Sequence, residues 1–309
     1  MKAQMEIQAE HTVAVSNPDK LLWPEAGISK ARYMQYLVDV SPWLLRHLQD
    51  RPITMIRYPD GVHGHSFYQK DSPAGTPEWV RTVPVWSEDR EDYIHPVVID
   101  SVASLLWLAN LGCLEMHVGF ATVRDPNTPT TIAFDLDPTA PGFERVRKVA
   151  LALHAVLSDL NLPHVAKTSG ATGLQVFIPL ANDDAPHDYA TTRVFTSAVA
   201  QHLGELLPED VTLERLKKNR GEKVYVDYPQ HGHNRTLIAP YSARATKTAN
   251  VSAPVLWDEL EQGVVPEDFT VLNMADRVHQ VGDLMNCGVG IRLQELTANL
   301  SKHAAHIQV

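Results

Sequence analysis

Cysteine is scarce in this chain of 309 residues, and Cys113 and Cys287 lie far apart in sequence. That count excludes a disulfide framework and an all-cysteine zinc site, and it fits a reducing cytosol. Long apolar runs are also missing. The N-terminal MKAQMEIQAEHTVAVSNP has no sustained apolar core, and the richest stretch, SVASLLWLANLGCLEM, is too short and interrupted to span a bilayer. The chain therefore reads as a soluble cytoplasmic protein without an export signal or membrane partner. No G-x-x-x-x-G-K-[ST] sequence occurs, which excludes a Walker phosphate loop. Positive charge is in deficit as well: the formal net charge of −10 argues at first against a nucleic-acid partner. The deficit is uneven, however. Residues 211–250 carry eight Lys or Arg against three acids, whereas residues 255–309 carry three against eight. A positive groove is compatible with the acidic total.

What is present is ordinary globular material, 44% hydrophobic and 21% charged, in a chain long enough to bury about three quarters of its unfolded surface. GISKARYMQYLVDVSPWLLRHL reads as a helix capped by Ser29, with Tyr33, Tyr36, Leu37 and Val40 on one stripe until Pro42 interrupts it. RPITMIRYPDG reads as a strand and turn, DSVASLLWLANLG as a helix ending at Gly112, and CLEMHVGF as a strand. After the loop RDPNTPTT, which divides an N-terminal module from a β-rich middle, PTAPGFERVRKVALALHAVLSDL has helical spacing from Phe143. Strands are expected at HVAKTSG, LQVFIPL and EKVYVDYP, with a helix at HDYATTRVFTSAVAQHLGELL. One mixed α/β body without internal repeats accounts for this order.

The chemistry lies in a few short segments. In TIAFDLDP, a strand period of two points Ile132, Phe134 and Leu136 one way and puts Asp135 and Asp137 on the other face. Two like charges on one small surface call for a cation between them; an edge strand with a wet face and an Asp-Pro turn at Pro138 is the other reading. KVYVDYP repeats the pattern, with Tyr225 and Asp227 facing away from Val224 and Val226. Three carboxylates on two strands suit two Mg²⁺ or Mn²⁺ ions, since hard cations take oxygen ligands; alone, Asp227 reads as a solvated strand residue. KTSGATG offers small residues, Lys167 and Ser169 for an anion, or simply a hairpin turn. Arg244 in APYSAR suits a bidentate phosphate contact or a surface ion pair. The fifteen histidines include two HGH sequences, but neither has companion ligands at zinc-like spacing.

In order, NPDKLLWPEAGISK, FYQK, CLEMH, FDLDP, KTSGATGLQVFIPL, VYVDYP and APYSARATKTANVSAPVLWDEL resemble the polymerase domain of bacterial ligase D, within the archaeo-eukaryotic primase superfamily. The resemblance covers nearly all of the chain after the first dozen residues. It implies an α/β (α+β) primase-polymerase fold, a mixed central sheet with an RRM-like catalytic module flanked by helices. A single domain over residues 1–309 is then expected, with an N-terminal module over about 12–125 packed against a catalytic module over about 126–300.

By this resemblance Asp135, Asp137 and Asp227 hold two catalytic Mn²⁺ or Mg²⁺ ions, and His117, Ser169 and Arg244 contact the triphosphate of an NTP or dNTP, assisted by Lys167 and Gly170. Lys20 and Lys30, with Asn17 nearby, would hold the 5′-phosphate of a gap; Lys30 at a helix start suits an anion. Phe67 and Tyr68 would stack on template bases beside Lys70. One departure stands out: the family commonly reads SGGKGLH where this chain has SGATGLQ, so Thr172 replaces a lysine and Gln175 a phosphate-facing histidine. Glutamine carries no transferable proton at neutral pH, which fits a slower polymerase.

The implied activity is template-directed nucleotidyl transfer at DNA ends and short gaps in non-homologous end joining, with ribonucleotides favoured. A nucleoid-associated cytoplasmic location and Ku as a partner are implied too. No K-x-D-G sequence occurs, since RYPDG lacks the lysine, so a separate ATP-dependent DNA ligase is expected to seal. Rival readings are a stand-alone primase, a non-catalytic module binding 5′-phosphorylated DNA ends, and another D-x-D metalloenzyme such as a phosphodiesterase or glycosyltransferase.

Overall fold

Segments that alternate apolar with polar residues form the strands here, and those with helical apolar spacing form the helices. The computed structural model describes residues 4–181, 188–286, 288 and 290–292. Cys287 lies outside these residues, while Cys113 is a buried free thiol. The first strands are β1 (Gln4–Gln8), β2 (Thr12–Ser16), β3 (Leu21–Trp23), β4 (Ile28–Ser29), β5 (Ile53–Arg57), β6 (Phe67–Gln69), β7 (Val85–Ser87) and β8 (Asp92–Ile94). Next come β9 (Cys113–Gly119), β10 (Thr131–Pro138), β11 (Val165–Thr168), β12 (Leu174–Pro179), β13 (Val211–Thr212), β14 (Val224–Asp227), β15 (Thr236–Ile238) and β16 (Pro254–Val255). The helices are α1 (Lys30–Leu48), α2 (Val102–Asn110), α3 (Glu144–Asp159), α4 (Tyr189–Leu206), α5 (Trp257–Glu261) and α6 (Met274–Val281). Among the described residues no helix is long and apolar enough to cross a membrane.

The chain divides into two units. The first comprises residues 1–119, 236–253 and 267–283, and the second comprises 120–235, 254–266 and 284–309. A single cut near residue 125 is therefore replaced by an interleaved division. Pairing explains it: β15 joins β9 in the first unit, and β16 joins β11 in the second.

In the first unit β15, β9, β5 and β6 form an antiparallel sheet in that order. Helix α1 buries Tyr33, Tyr36, Leu37, Val40, Leu44 and Leu48, each aliphatic burial being worth about 1.5–3 kcal/mol. Ser29 caps it by accepting from Arg32 N at 3.2 Å. Pro42 does not interrupt this helix, which continues to Leu48. Proline removes the N–H that would donate to the carbonyl of Val38, and Ser41 Oγ donates to that same carbonyl at 2.8 Å. The vacated acceptor is satisfied locally, and the apolar stripe runs on. Helix α2 begins with a capping box between Ser101 and Ser104, and Gly112 beyond its end adopts φ 78°.

The second unit is built on a six-stranded mixed sheet, ordered β13-β14-β10-β12-β11-β16, whose β13–β14 pair alone is parallel. Period two sorts β10 as expected: Ile132, Phe134 and Leu136 are buried, and the sheet packs on α3 and α4. Phe134 meets Phe195 of α4 edge to face, with ring centroids 6.4 Å apart. The opposite face is left for the polar residues of β10 and its neighbours. Asp188 caps helix α4, its Oδ1 accepting from Thr191 N at 2.7 Å.

The helix through Pro42 yields a double-mutant prediction. Ser41→Ala should destabilise the protein by about 1–2 kcal/mol in denaturant unfolding, because the Val38 carbonyl loses its donor. Adding Pro42→Ala restores a backbone N–H and should recover most of that loss; an equal loss in both variants would contradict this account.

Candidate active site

In the second unit's sheet, Asp135 lies directly opposite Asp227 on β14 and directly opposite Gln175 on β12. Gln175 in turn lies opposite Lys167 on β11. Directly opposed residues share a face, so Asp227, Asp135, Gln175 and Lys167 form one polar row across four strands. Asp137, two residues along β10, adds a third carboxylate to that face, opposite Tyr225.

Asp135 and Asp227 each have neighbours that orient them. Gln175 Nε2 donates to Asp135 Oδ1 at 3.0 Å, and Lys167 Nζ donates to Gln175 Oε1. Asp227 Oδ1 accepts from Tyr225 Oη at 3.2 Å and from Gln230 N at 3.1 Å. The Arg220 guanidinium lies 3.7 Å from the Tyr225 ring centroid. Burial and then the Asp137 charge push the Asp135 carboxyl up to about 7, with Asp227 adding to the rise and Gln175 and Lys167 opposing it. Asp227 is raised too, chiefly by burial, against the pull of Tyr225, Gln230, Arg220 and Arg235.

Among the described residues, no group of three or more His, Cys, Asp or Glu side chains is arranged to hold a metal ion as it stands. The donor chemistry nevertheless fits one. Three oxygen-donor acids crowd one face, two of them on opposed residues whose Cα atoms lie about 4.5–5.5 Å apart by antiparallel geometry, so rotamer changes bring both to one hard cation.

The turn between β11 and β12 is closed by Ser169. Its N–H donates to Gly173 O at 2.9 Å, while its Oγ accepts from Ala171 N at 3.2 Å and Gly173 N at 3.0 Å. Gly170 takes φ 71° in this turn. Gly173 is required for a different reason: a Cβ there would come within 2.6 Å of Leu136 O on the acidic strand.

The first unit holds a second polar cluster. Arg244 Nη1 donates to Glu115 Oε2 at 2.8 Å, and His117 Nε2 lies 3.3 Å from the same oxygen. Ala245 N donates to Glu115 Oε1 at 3.0 Å. Glu115, only 4% exposed, thus orients two of the residues assigned to the triphosphate by resemblance, His117 and Arg244. Sequence reasoning missed it, although its place two residues before His117 on one strand put both on one face. Its carboxyl is held below the usual range: the His117 and Arg244 interactions and the Ala245 N–H outweigh the opposing effect of burial.

The residues assigned to DNA differ in exposure. Lys20 is half-buried and donates to Pro59 O at 2.9 Å and Asp60 Oδ1 at 2.8 Å. Lys30 is 5% exposed; its ammonium donates to Ser16 O at 2.8 Å, Asn110 O at 3.0 Å and Asn110 Oδ1 at 3.1 Å. Burial, with the nearby Lys20 charge, lowers the Lys30 pKa to about 8. Asn17 takes φ 50° in the turn that leads to Lys20. Phe67 lies under the Arg57 guanidinium, 5.0 Å from its centroid. Tyr68 is 54% exposed and Lys70 is exposed.

Mixed sheets with flanking helices and an acid-bearing strand pair place the chain in the α+β primase-polymerase class of fold. The solved polymerase domain from Mycobacterium tuberculosis Ligase D in complex with DNA has the same architecture, with a TM-score of 0.82 and 32% identity over 89% of this chain and 96% of that one. The chain belongs to the LigD primase-polymerase domain family, whose model matches residues 29–285. It is 35% identical over 265 residues to the bifunctional non-homologous end joining protein LigD of Bacillus subtilis, covering 85% of this chain and 42% of that protein. The multifunctional non-homologous end joining protein LigD of Mycolicibacterium smegmatis is 32% identical over 278 residues, 88% of this chain and 35% of that one. The chain thus spans well under half the length of these curated relatives.

Two measurements follow from the geometry. The folded protein holds the Asp135 proton up to about 7, whereas an unfolded aspartate releases it near 4, so cation-free stability should fall as pH rises from about 4 to 7. Added Mn²⁺ should raise Tm more at pH 7.5 than at pH 5, and Asp135→Asn should flatten this component; equal slopes in both proteins would refute it. Separately, Lys30→Ala should cost about 2–4 kcal/mol by stranding buried acceptors, and Lys20→Ala less than about 1 kcal/mol. Denaturant melts that fail to rank them so would contradict the assignment.

Proposed function

We propose that this chain is a template-directed nucleotidyltransferase that fills or extends DNA ends and short gaps in non-homologous end joining. The observation that carries the proposal is the row of acids on one sheet face, with Asp227 opposite Asp135 and Asp137 two residues along. Asp135, Asp137 and Asp227 would hold two Mn²⁺ or Mg²⁺ ions. When bound, such cations stabilise charge on the attacking and leaving oxygens of phosphoryl transfer. The primer 3′-hydroxyl loses its proton to solvent as its oxygen bonds to the α-phosphorus, the bond from that phosphorus to the α,β-bridging oxygen breaks, and pyrophosphate leaves with that electron pair.

The protein's own contribution is placement. The tight Ser169–Gly173 turn abuts the acidic strand at Gly173, which supports the reading of Ser169 and Gly170 as triphosphate-binding groups. Glu115 fixes His117 and Arg244, whose roles as triphosphate ligands rest on the family resemblance. On the same ground, Lys20 and Lys30 recognise a 5′-phosphate, Tyr68 offers an exposed ring to a template base, ribonucleotides are favoured, and Ku and an ATP-dependent ligase are the partners. DNA bound to the related M. tuberculosis polymerase domain supports a DNA partner here. A second reading, a DNA-end binding module without turnover, is favoured only by Gln175 standing where the family commonly has histidine.

Primer extension on a gapped, 5′-phosphorylated duplex tests the proposal, run with Mn²⁺ or Mg²⁺ and with ribo- or deoxyribonucleotides. Wild type should extend the primer, whereas Asp137→Ala should lose extension and keep gapped-DNA binding. Equal extension by the variant would overturn the carboxylate assignment. Tight binding without extension by wild type would favour the binding module.

A further inference from the structure

Resting on the nucleotidyltransferase reading above, we propose that Lys167 and Gln175 are positioning residues. Their relay, Lys167 to Gln175 to Asp135, fixes the Asp135 carboxylate and takes the place of direct contact with nucleotide.

Register comes first. Lys167, Gln175 and Asp135 are directly opposed on the adjacent strands β11, β12 and β10, so their side chains stand side by side on one face. Hydrogen-bond chemistry then forces the direction of the chain. An ammonium only donates and a carboxylate only accepts, so the residue between them must present an acceptor to one and a donor to the other. A glutamine does this with Oε1 toward Lys167 and Nε2 toward Asp135, the arrangement found here. Reversing the amide would break both bonds, which makes the bridge single-valued. Leucine or methionine could make neither bond, and glutamate could satisfy only the lysine.

Burial makes the relay consequential. Lys167 is 0% exposed and Gln175 is 3% exposed, so bulk water cannot readily replace either partner. The Phe177 ring flanks the ammonium, with Nζ 5.5 Å from its centroid. To touch a triphosphate, Lys167 would have to leave a pocket in which it is hydrogen-bonded and covered by an aromatic face. Its charge acts on Asp135 across the sheet and through the polarised amide of Gln175, a cooperative arrangement in a low-dielectric setting. Gln175 fixes one oxygen of Asp135 and so limits the rotamers by which that acid meets a cation, as outer-shell partners of ligating carboxylates do. The exchange of histidine for Gln175 along this chain therefore keeps a bridge in place, because a neutral imidazole also offers one donor and one acceptor.

The test uses the full chain at pH 8 and follows free Mn²⁺ by electron paramagnetic resonance, with nucleotide KM and kcat measured by primer extension. Gln175→Met, Gln175→Glu and Lys167→Met should each weaken Mn²⁺ binding about 10–100-fold and lower kcat, with KM changed less than about threefold. Gln175→His should stay within about threefold of wild type. Gln175→Glu keeps a partner for Lys167 and so guards against simple misfolding. Unchanged Mn²⁺ affinity with a raised KM would make these residues nucleotide ligands and overturn the relay. If wild type binds no Mn²⁺, the metal reading falls by itself, and the relay is judged by the side-chain amide of Gln175 in isotope-labelled protein. Slow exchange with solvent, and a resonance moved by both Asp135→Ala and Lys167→Met, supports the relay; exchange at the solvent rate overturns it.

Discussion

Antiparallel pairing between β10 and β14 sets Asp135 against Asp227, and this like-charge opposition is the constraint around which the second unit is organised. The pairing cannot slip by one residue without exposing Ile132, Phe134 and Leu136 and burying the acids against α3 and α4. Hydrophobic burial on one face thus enforces electrostatic crowding on the other. The surrounding residues answer that crowding in different ways: Tyr225 and Gln230 donate to Asp227, and Gln175 donates to Asp135. The Asp135 carboxyl still lies well above the usual carboxylate range, since these interactions offset only part of the desolvation and repulsion.

The first unit shows the converse economy. There a single buried carboxylate, Glu115, satisfies a guanidinium, an imidazole and a backbone N–H, and its opposite charges lie close enough to hold it ionised. One cluster crowds several carboxyls on one face; the other disperses the charge of one carboxylate among donors. Cation affinity is expected of the first and anion affinity of cationic groups held like those of the second. The two behaviours arise from the same rule about what a buried carboxylate has beside it.

Much of this was readable along the chain, and the reasons for what was not are physical. A period of two identified the faces of β10 and β14, because side-chain alternation depends only on the local backbone. Which strands are neighbours depends on distant pairing, so the opposition of Asp135 and Asp227, and the row reaching Lys167, came only with the sheet order. Burial was equally hidden: Lys30 and Lys167 are lysines in polar sequence contexts, yet tertiary packing covers both ammonium groups and gives them oxygen acceptors. Pro42 misled because its disruptive effect is local and general, while the remedy supplied by Ser41 depends on a rotamer. Strand periodicity singled out the three acids and family resemblance pointed at His117 and Arg244; neither identified the partners that hold them.

The interleaved division of the chain bears on how the protein is made. Strand β15 borders β9 but follows it by more than a hundred residues of the other unit, so the first sheet stays unfinished until that intervening stretch has left the ribosome. An N-terminal fragment emerging early would display β9 with a bare hydrogen-bonding edge, a surface prone to mispairing during synthesis. Maturation of the two halves is therefore nested in time, and chaperone demand should be concentrated in the interval before Thr236–Ile238 appears.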